Sequence, residues 1–452
     1  MGIPGRPGIP VPRLDGDLRT DPASLEQAAD DFGHLVRRPP VAVLRPGSVD
    51  DVVAMIRHCR RHRLPVAARG AGHSAFGQAQ ADRGLVIDMT PLSRVRIAGD
   101  AAIADAGARW SQVLRASLAH GLTPPVLTDH LDLSVGGTLT VGGVGGTTHR
   151  HGMQVDNVLE LEVVTGAGDH TVCSPSANPD LFRAVLAGLG QCAVIVRATL
   201  RLIPAPAAVR RYRLRYPSVA ALTADQRKIV HEDRFPYVEG QVLHRPELGG
   251  RAIVLDVAAF HTGPTPPDDA RIADLAHERG TERVDDLPYL GFLDRNADSV
   301  EEQRASGEWA RPHPWWNAFL PDAAADPFAA DLLAGLTPAD LGASGVVLLY
   351  PFPRSRLTLP LTRAPDAPLI FLLALLRTAS PGAAPPHAML AANRLLTERV
   401  RRAGGHRYPI GAAPATPADW RTHYGPHWPA FAAAKRRHDP AGILAPGLGV
   451  FG

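Results

Sequence analysis

The sequence predicts an α+β protein of two large domains, and three observations carry the prediction. The chain has 452 residues, too many for one ordinary hydrophobic core. As far as Leu202, strand-like apolar runs alternate with amphipathic helical stretches. Beyond Pro204 and Pro206 the texture changes to aromatic and β-branched runs separated by long polar connections.

In chain order, a Pro-rich arm precedes a strand, helix, strand pattern from Val41 to Val66. Ser48 followed by Asp51 reads as a capping box, and Val52, Met55, Ile56 and Cys59 recur at helical spacing. Leu64 to Ala68 and Leu85 to Met89 read as strands, and Trp110 to Ala119 as a helix. The glycine-dense run from Gly136 to Gly152 reads as loop. Asn157 to Thr165 reads as a strand with Leu159, Leu161 and Val163 on one face and Glu160 and Glu162 on the other. Asn178 and Pro179 open a helix, and Ala193 to Leu202 closes the first half as a strand.

In the second half, strands are predicted at Arg211 to Tyr216, Tyr237 to Leu243, Ile253 to Val257, Val346 to Tyr350 and Pro368 to Leu375. Pro264 to Asp269 and Pro321 to Pro327 read as loops or surface insertions. Helices are predicted from about Ala388 to Ala403, from Pro417 to Tyr424 and from Trp428 to Arg437, before a turn-rich tail.

Composition narrows the function classes. The formal charge is +3, from 48 basic and 45 acidic side chains, and the arginine runs read as solvated helix faces with no nucleic-acid motif. The first sixteen residues have no apolar run of signal-peptide length, and no stretch reaches the roughly 18 apolar residues of a membrane span. A cytoplasmic protein with no membrane partner is therefore expected. Cys59, Cys173 and Cys192 form neither a disulfide framework nor a spaced metal site, so no metal is expected; Cys59 and Cys192 read as core residues.

Two segments carry candidate chemistry. The first, RGAGHSAFGQ from Arg69 to Gln78, is neither a GxGxxG fingerprint nor a phosphate loop ending in Lys-Ser/Thr. Its glycines permit a close chain path, either for turns alone or to expose backbone N–H groups to a phosphate. The second, TDHLDLSVGGTLTVGGVGG from Thr128 to Gly146, packs glycines at 136, 137, 142, 143, 145 and 146. That spacing suits either turns or a pyrophosphate cradle.

With these motifs in view, the chain resembles the cytokinin dehydrogenase branch of the vanillyl-alcohol-oxidase-like, or PCMH-type, FAD-linked oxidoreductases. GHS at Gly72 to Ser74, the Thr-Asp pair at 128 and 129, VGGTL, NVLELEVVTG, NPDLFRAVLAGLGQ, FPYVEGQVL and HPWWN all carry the resemblance, which spans nearly the whole chain. It implies a PCMH-type FAD-binding domain over 1–205 and a substrate and cap domain over 206–410, built on an antiparallel sheet flanked by helices. Residues 411–452 would return to the FAD-binding domain.

The resemblance also implies roles. His73 would be joined to the flavin 8α-methyl group, with Gly70, Ala71, Gly72, Ser74 and Gln78 around it. Thr128, Gly136, Gly137, Thr138, Gly142, Gly145, Gly146 and Val194 would complete the FAD site. Asp129 would accept a proton from a substrate amine while hydride leaves the adjacent carbon for the flavin, and Trp315 and Asn317 would approach the substrate. Trp316 would pack behind Trp315, Glu239 would be structural or at a sheet edge, and Asp132 has no direct role.

The sequence also departs from the family pattern. Leu127 and His130 replace aromatic residues flanking the Thr-Asp pair, and Leu448 replaces a glutamine. No cysteine lies between Thr128 and Gly152, so attachment through His73 alone is expected. The implied activity is oxidation of an amine C–N bond in a cytokinin-like N6-substituted adenine. The alternative is an alcohol, sugar or natural-product intermediate oxidised in the same fold. Either way the partners are a small organic substrate and oxygen or a quinone-like acceptor, for a monomer or weak homodimer.

Overall fold

The computed structural model describes residues 11–245 and 250–452; the arm at 1–10, included in the signal-peptide reading, lies outside them. Ala42–Arg45, Val49–His62 and Val66–Arg69 form the expected strand, helix, strand. The helix buries Val52, Met55, Ile56 and Cys59 as one stripe. Its start differs from a capping box. Ser48 makes no cap bond, and Asp51 instead accepts the backbone N–H groups of Gly47, Asp15 and Gly16, each at 2.8 Å. An ionised carboxylate can satisfy all three donors at once, so it ties the incoming chain to the helix start.

Leu85–Asp88 lies between Ala42–Arg45 and Val66–Arg69 and runs parallel to both, with Asp17–Arg19 antiparallel at the edge. A second, wholly antiparallel sheet has the order Val95–Ala98, Ala101–Asp105, Ala193–Arg201, Val158–Thr165, His170–Cys173. The predicted alternation in Val158–Thr165 fails at Leu159, which is 36% exposed. Thr199 pairs with Glu160 and Leu200 with Val158, so the register skips Leu159. Such a bulge turns one side chain off its expected face.

The glycine-dense run is not all loop. It contains the helical turns Val135–Leu139 and Thr148–His151, followed by a 3₁₀ turn at Gln154–Asn157. Val135 and Gly136 donate to Ala108 and Ala106, both at 2.8 Å, so tertiary contact shapes a turn that glycine propensity disfavours.

Most of the second half forms one antiparallel eight-stranded sheet. Its order is Arg283–Pro288, Ala208–Tyr216, Gly250–His261, Tyr237–Arg245, Val346–Pro353, Leu369–Leu376, Trp316–Pro321, His406–Arg407. Helices Val219–His231, Asp322–Gly335 and Pro386–Arg402 flank it. The expected loop at Pro321 to Pro327 is instead the start of Asp322–Gly335, with Pro327 inside it. Arg227 binds Asp322 at 2.6 Å and Asp326 at 2.9 Å, and Thr223 binds Asp326 at 2.6 Å. These bonds hold the first turns in place despite the donor that proline lacks.

The C-terminal helices Pro417–Tyr424 and Trp428–His438 lead to a tail that comes back to the first sheet. Val66 donates to Ile443, and Ala445 donates to Val66, both at 2.8 Å. Among the described residues no helix is long and apolar enough to cross a membrane.

Candidate active site

Between the large sheet and the two glycine-bearing segments lies a cavity of about 330 Å³. Its wall is formed by the strand and loop from Val66 through Gln78, the segment from Thr128 to Val144, the stretch from Leu189 to Ile195, and the sheet face carrying Leu348, Tyr350 and Ala374. The tail closes it with Leu444, Ala445 and Leu448.

His73 stands on this wall. Phe32 stacks on its imidazole at 3.9 Å between centroids, and His130 lies at 4.9 Å. Burial, reinforced by His130 and His313, holds His73 well below the ordinary histidine range, so it is a neutral imidazole and a competent nucleophile. Gly70, Ala71, Gly72, Ser74 and Gln78 line the cavity with it. Ser74 and Gln78 also hold the loop. The Ser74 hydroxyl donates to Asp31 at 2.8 Å, and Gln78 accepts from the Phe76 amide at 2.8 Å. A Cβ on Gly70 would lie 1.9 Å from the Ser134 hydroxyl, so only glycine fits where the two segments meet.

The second segment divides. Thr128, Gly136, Gly137 and Thr138 are on the cavity wall, as is Val194. The Thr138 hydroxyl accepts from the Trp110 indole at 2.8 Å, so its side chain is already occupied. Gly142, Gly145 and Gly146 are not on the wall. The amides of Gly142 and Gly145 donate to Thr138 and to the Thr148 hydroxyl, at 2.8 and 3.0 Å, which leaves neither free for a phosphate. Gly146 makes room for the Tyr237 ring, which a Cβ would meet at 2.3 Å. These three glycines shape the wall from behind, while Gly143, its amide donating to the Tyr408 hydroxyl at 2.9 Å, reaches it.

Asp129 is also on the wall, and four groups converge on its carboxylate region. Arg295 donates to Oδ1 at 2.7 Å, the Tyr237 hydroxyl donates to Oδ1 at 3.2 Å, and the Tyr350 hydroxyl donates to Oδ2. Glu239 joins at the Tyr237 hydroxyl, whose single proton the two carboxyl groups share, and through Arg295 at 3.2 Å. Glu239 is therefore not at a sheet edge. Its strand lies between Gly250–His261 and Val346–Pro353, and the residue is 2% exposed. Burial first, and the neighbouring Asp129 next, push Glu239 up to about 7, with Arg295 opposing. Burial likewise raises Tyr237 and Tyr350 well above the ordinary tyrosine range, so both remain hydroxyl donors. Asp132 points away to Ser111, which donates to it at 2.6 Å.

Trp315 and Asn317 line the same cavity, whereas Trp316 packs against Phe328 and donates to Thr397 at 3.0 Å. The Asn317 amide nitrogen is buried and has no hydrogen-bond partner among the described residues. Tyr237, Arg295, Tyr350 and Tyr408 were not candidates from sequence. Tyr237 lies within FPYVEGQVL but carried no assigned role, and Arg295, Tyr350 and Tyr408 lie outside the quoted motifs; strand pairing and the loop after Tyr289–Leu293 bring them to the cavity.

These residues fit an FAD group. Gly72 sits at φ +70°, and among the described residues no acceptor takes the backbone N–H of Gly72, His73 or Ser74. Successive free amides around a left-handed residue form an anion-binding nest suited to a pyrophosphate. The unpartnered Asn317 amide offers a further donor on the cavity wall.

Comparison with known proteins agrees. Residues 40–174 match the family described as "FAD binding domain", and residues 268–451 match "Cytokinin dehydrogenase 1, FAD and cytokinin binding". An uncharacterised oxidoreductase of the fasciation locus of Rhodococcoides fascians is 43% identical, over 96% of this chain and 99% of that one. Cytokinin dehydrogenase 10 of Oryza sativa subsp. japonica is 36% identical, over 96% of this chain and 88% of the relative. Among solved structures, 6-hydroxy-D-nicotine oxidase from Arthrobacter nicotinovorans shares the fold with a TM-score of 0.74 at 23% identity, over 97% of this chain and 98% of that one. Xylooligosaccharide oxidase from Myceliophthora thermophila does so with 0.78 at 18%, over 96% and 97%. The chain is an FAD-dependent oxidoreductase and belongs to the cytokinin-dehydrogenase-like branch of the vanillyl-alcohol-oxidase, PCMH-type family.

Proposed function

We propose that this protein oxidises a carbon–nitrogen bond in a cytokinin-like N6-substituted adenine, holding its FAD covalently through His73 alone. The observation that carries the reading is the Asp129 carboxylate, exposed to the cavity and oriented by Arg295, Tyr237 and Tyr350. Bound FAD supplies the hydride acceptor. Asp129 takes the amine proton, and Arg295 fixes the carboxylate that receives it. The Tyr237 hydroxyl lies between Asp129 and Glu239, so Glu239 and Arg295 set the charge that Asp129 works against. Trp315 and Asn317 orient the substrate from the sheet side of the cavity. The resulting imine hydrolyses to an amine and an aldehyde, and oxygen or a quinone-like compound takes the electrons.

Attachment at a single residue is supported by the cysteines as well as by the neutral, stacked His73. All three are buried, and burial pushes their thiols up to about 12, so none is a ready thiolate. Asp129→Asn tests the proton-acceptor role. It should retain FAD yet slow anaerobic flavin bleaching by N6-isopentenyladenine on the order of 100-fold or more, the usual contribution of a positioned base. Bleaching at the unsubstituted rate would remove Asp129 from that role.

A further inference from the structure

We propose that Asp31, Phe32 and Gly33 form a strap that presents the His73 imidazole to the flavin, so that covalent attachment, as distinct from FAD binding, depends on Asp31 and Phe32. This rests on the reading that His73 is the attachment point. Among the described residues no hydrogen bond holds the His73 ring. Its plane is set by aromatic neighbours instead, Phe32 stacked at 3.9 Å with the planes 22° apart and His130 at 4.9 Å.

The backbone of the strap brackets His73. Phe32 donates to Gly72 at 2.9 Å and Gly33 donates to Ser74 at 3.0 Å, one bond on each side of the histidine. Asp31, only 2% exposed, accepts the Ser74 hydroxyl at 2.8 Å and the Gly77 amide at 2.6 Å. A Cβ on Gly33 would lie 1.9 Å from the Ala75 carbonyl oxygen, so the two segments are in close contact. Phe32 also packs edge-on against His313 at 4.0 Å and Trp315 at 5.0 Å, which fixes the ring that fixes His73.

Attachment replaces one imidazole N–H and one 8α-methyl C–H by a single N–C bond. The two protons and two electrons pass finally to dioxygen, giving hydrogen peroxide. The imidazole nitrogen must meet one carbon in line, and a misplacement of about 1 Å in such a geometry costs on the order of 100-fold.

The test measures total FAD by absorbance and covalent FAD by intact mass after denaturation, in the wild-type protein and in Phe32→Leu, Phe32→Tyr and Asp31→Ala. The expected result is covalent flavin in the wild-type protein and in Phe32→Tyr. Phe32→Leu and Asp31→Ala should keep normal total FAD but carry at least about tenfold less of it covalently. Full covalent flavin in Phe32→Leu and Asp31→Ala overturns the proposal. Loss of total FAD in parallel with covalent FAD also overturns it, because the strap would then serve folding or cofactor uptake. Wild-type protein that releases all its flavin on denaturation overturns the attachment at His73 itself, and the strap's role with it.

Discussion

The half-buried Asp129 and the buried Glu239 share one guanidinium beside the cavity, and this crowding makes the site sensitive to pH. Glu239, pushed up to about 7, stays protonated in the folded protein where the unfolded chain has already released the proton. Its contribution to stability is therefore complete below the ordinary glutamate range and is lost as pH rises toward 7. Above that pH a second negative charge stands near Asp129, and the coupled cluster takes up a substrate proton more readily. The rate of substrate bleaching should rise through about pH 7 in the wild-type protein, and Glu239→Gln should flatten that rise. An unchanged pH profile in Glu239→Gln would exclude this coupling.

The place of Asp129 and His73 on the cavity wall was legible because each sits inside a short motif. Glu239 was visible only as part of FPYVEGQVL, and its place beside Asp129 depends on strand register. Arg295 had no local signal at all, since it reaches Asp129 from 166 residues away along the chain.

Among the elements, the helix read from an apolar stripe, Val49–His62, agrees closely with the structure, and the helices expected near Trp110 and Ala388 are Trp110–Leu118 and Pro386–Arg402. Departures arise where a tertiary contact overrides a local signal: the turn Val135–Leu139, the bulge at Leu159, and Asp322–Gly335 with its internal proline. Glycine is the element-scale residue most easily misread. Gly146 suggested a phosphate contact, yet it makes room for Tyr237. Gly146→Ala should therefore displace Tyr237 from Asp129 and Glu239. A loss of about 1–3 kcal/mol in denaturant unfolding is expected, the usual cost of overpacking, together with slower bleaching. Wild-type values for both would show that the Tyr237 ring moves aside freely.

At the scale of the whole molecule, the cavity is assembled from separate stretches of chain that must dock on one another. Lys435 pins the tail that closes it. It donates to the Gln191 carbonyl at 2.9 Å, to Asp439 at 2.7 Å and to the Leu444 carbonyl at 3.1 Å, all buried. Lys435→Met leaves Asp439 without its cation, and breaking such a buried pair costs about 3–5 kcal/mol. The variant should unfold at lower denaturant concentration, and its flavin should become exposed to solvent before the large sheet melts, as followed by flavin fluorescence and circular dichroism. Simultaneous change in both signals at the wild-type midpoint would contradict the role of the tail in closing the cavity.

The fold class was legible from element patterns and the change of texture at Pro204. The substrate was not, because specificity lies in side chains gathered from both halves of the chain, and His130 and Leu127 depart from the family pattern beside Asp129. The most direct test is anaerobic mixing of the purified protein with N6-substituted adenines and, separately, with alcohols and sugars, while flavin absorbance is followed. Rapid bleaching by the N6-substituted adenines, lost in Asp129→Asn with FAD retained, is the predicted result. Bleaching by alcohols or sugars and none by N6-substituted adenines would contradict it.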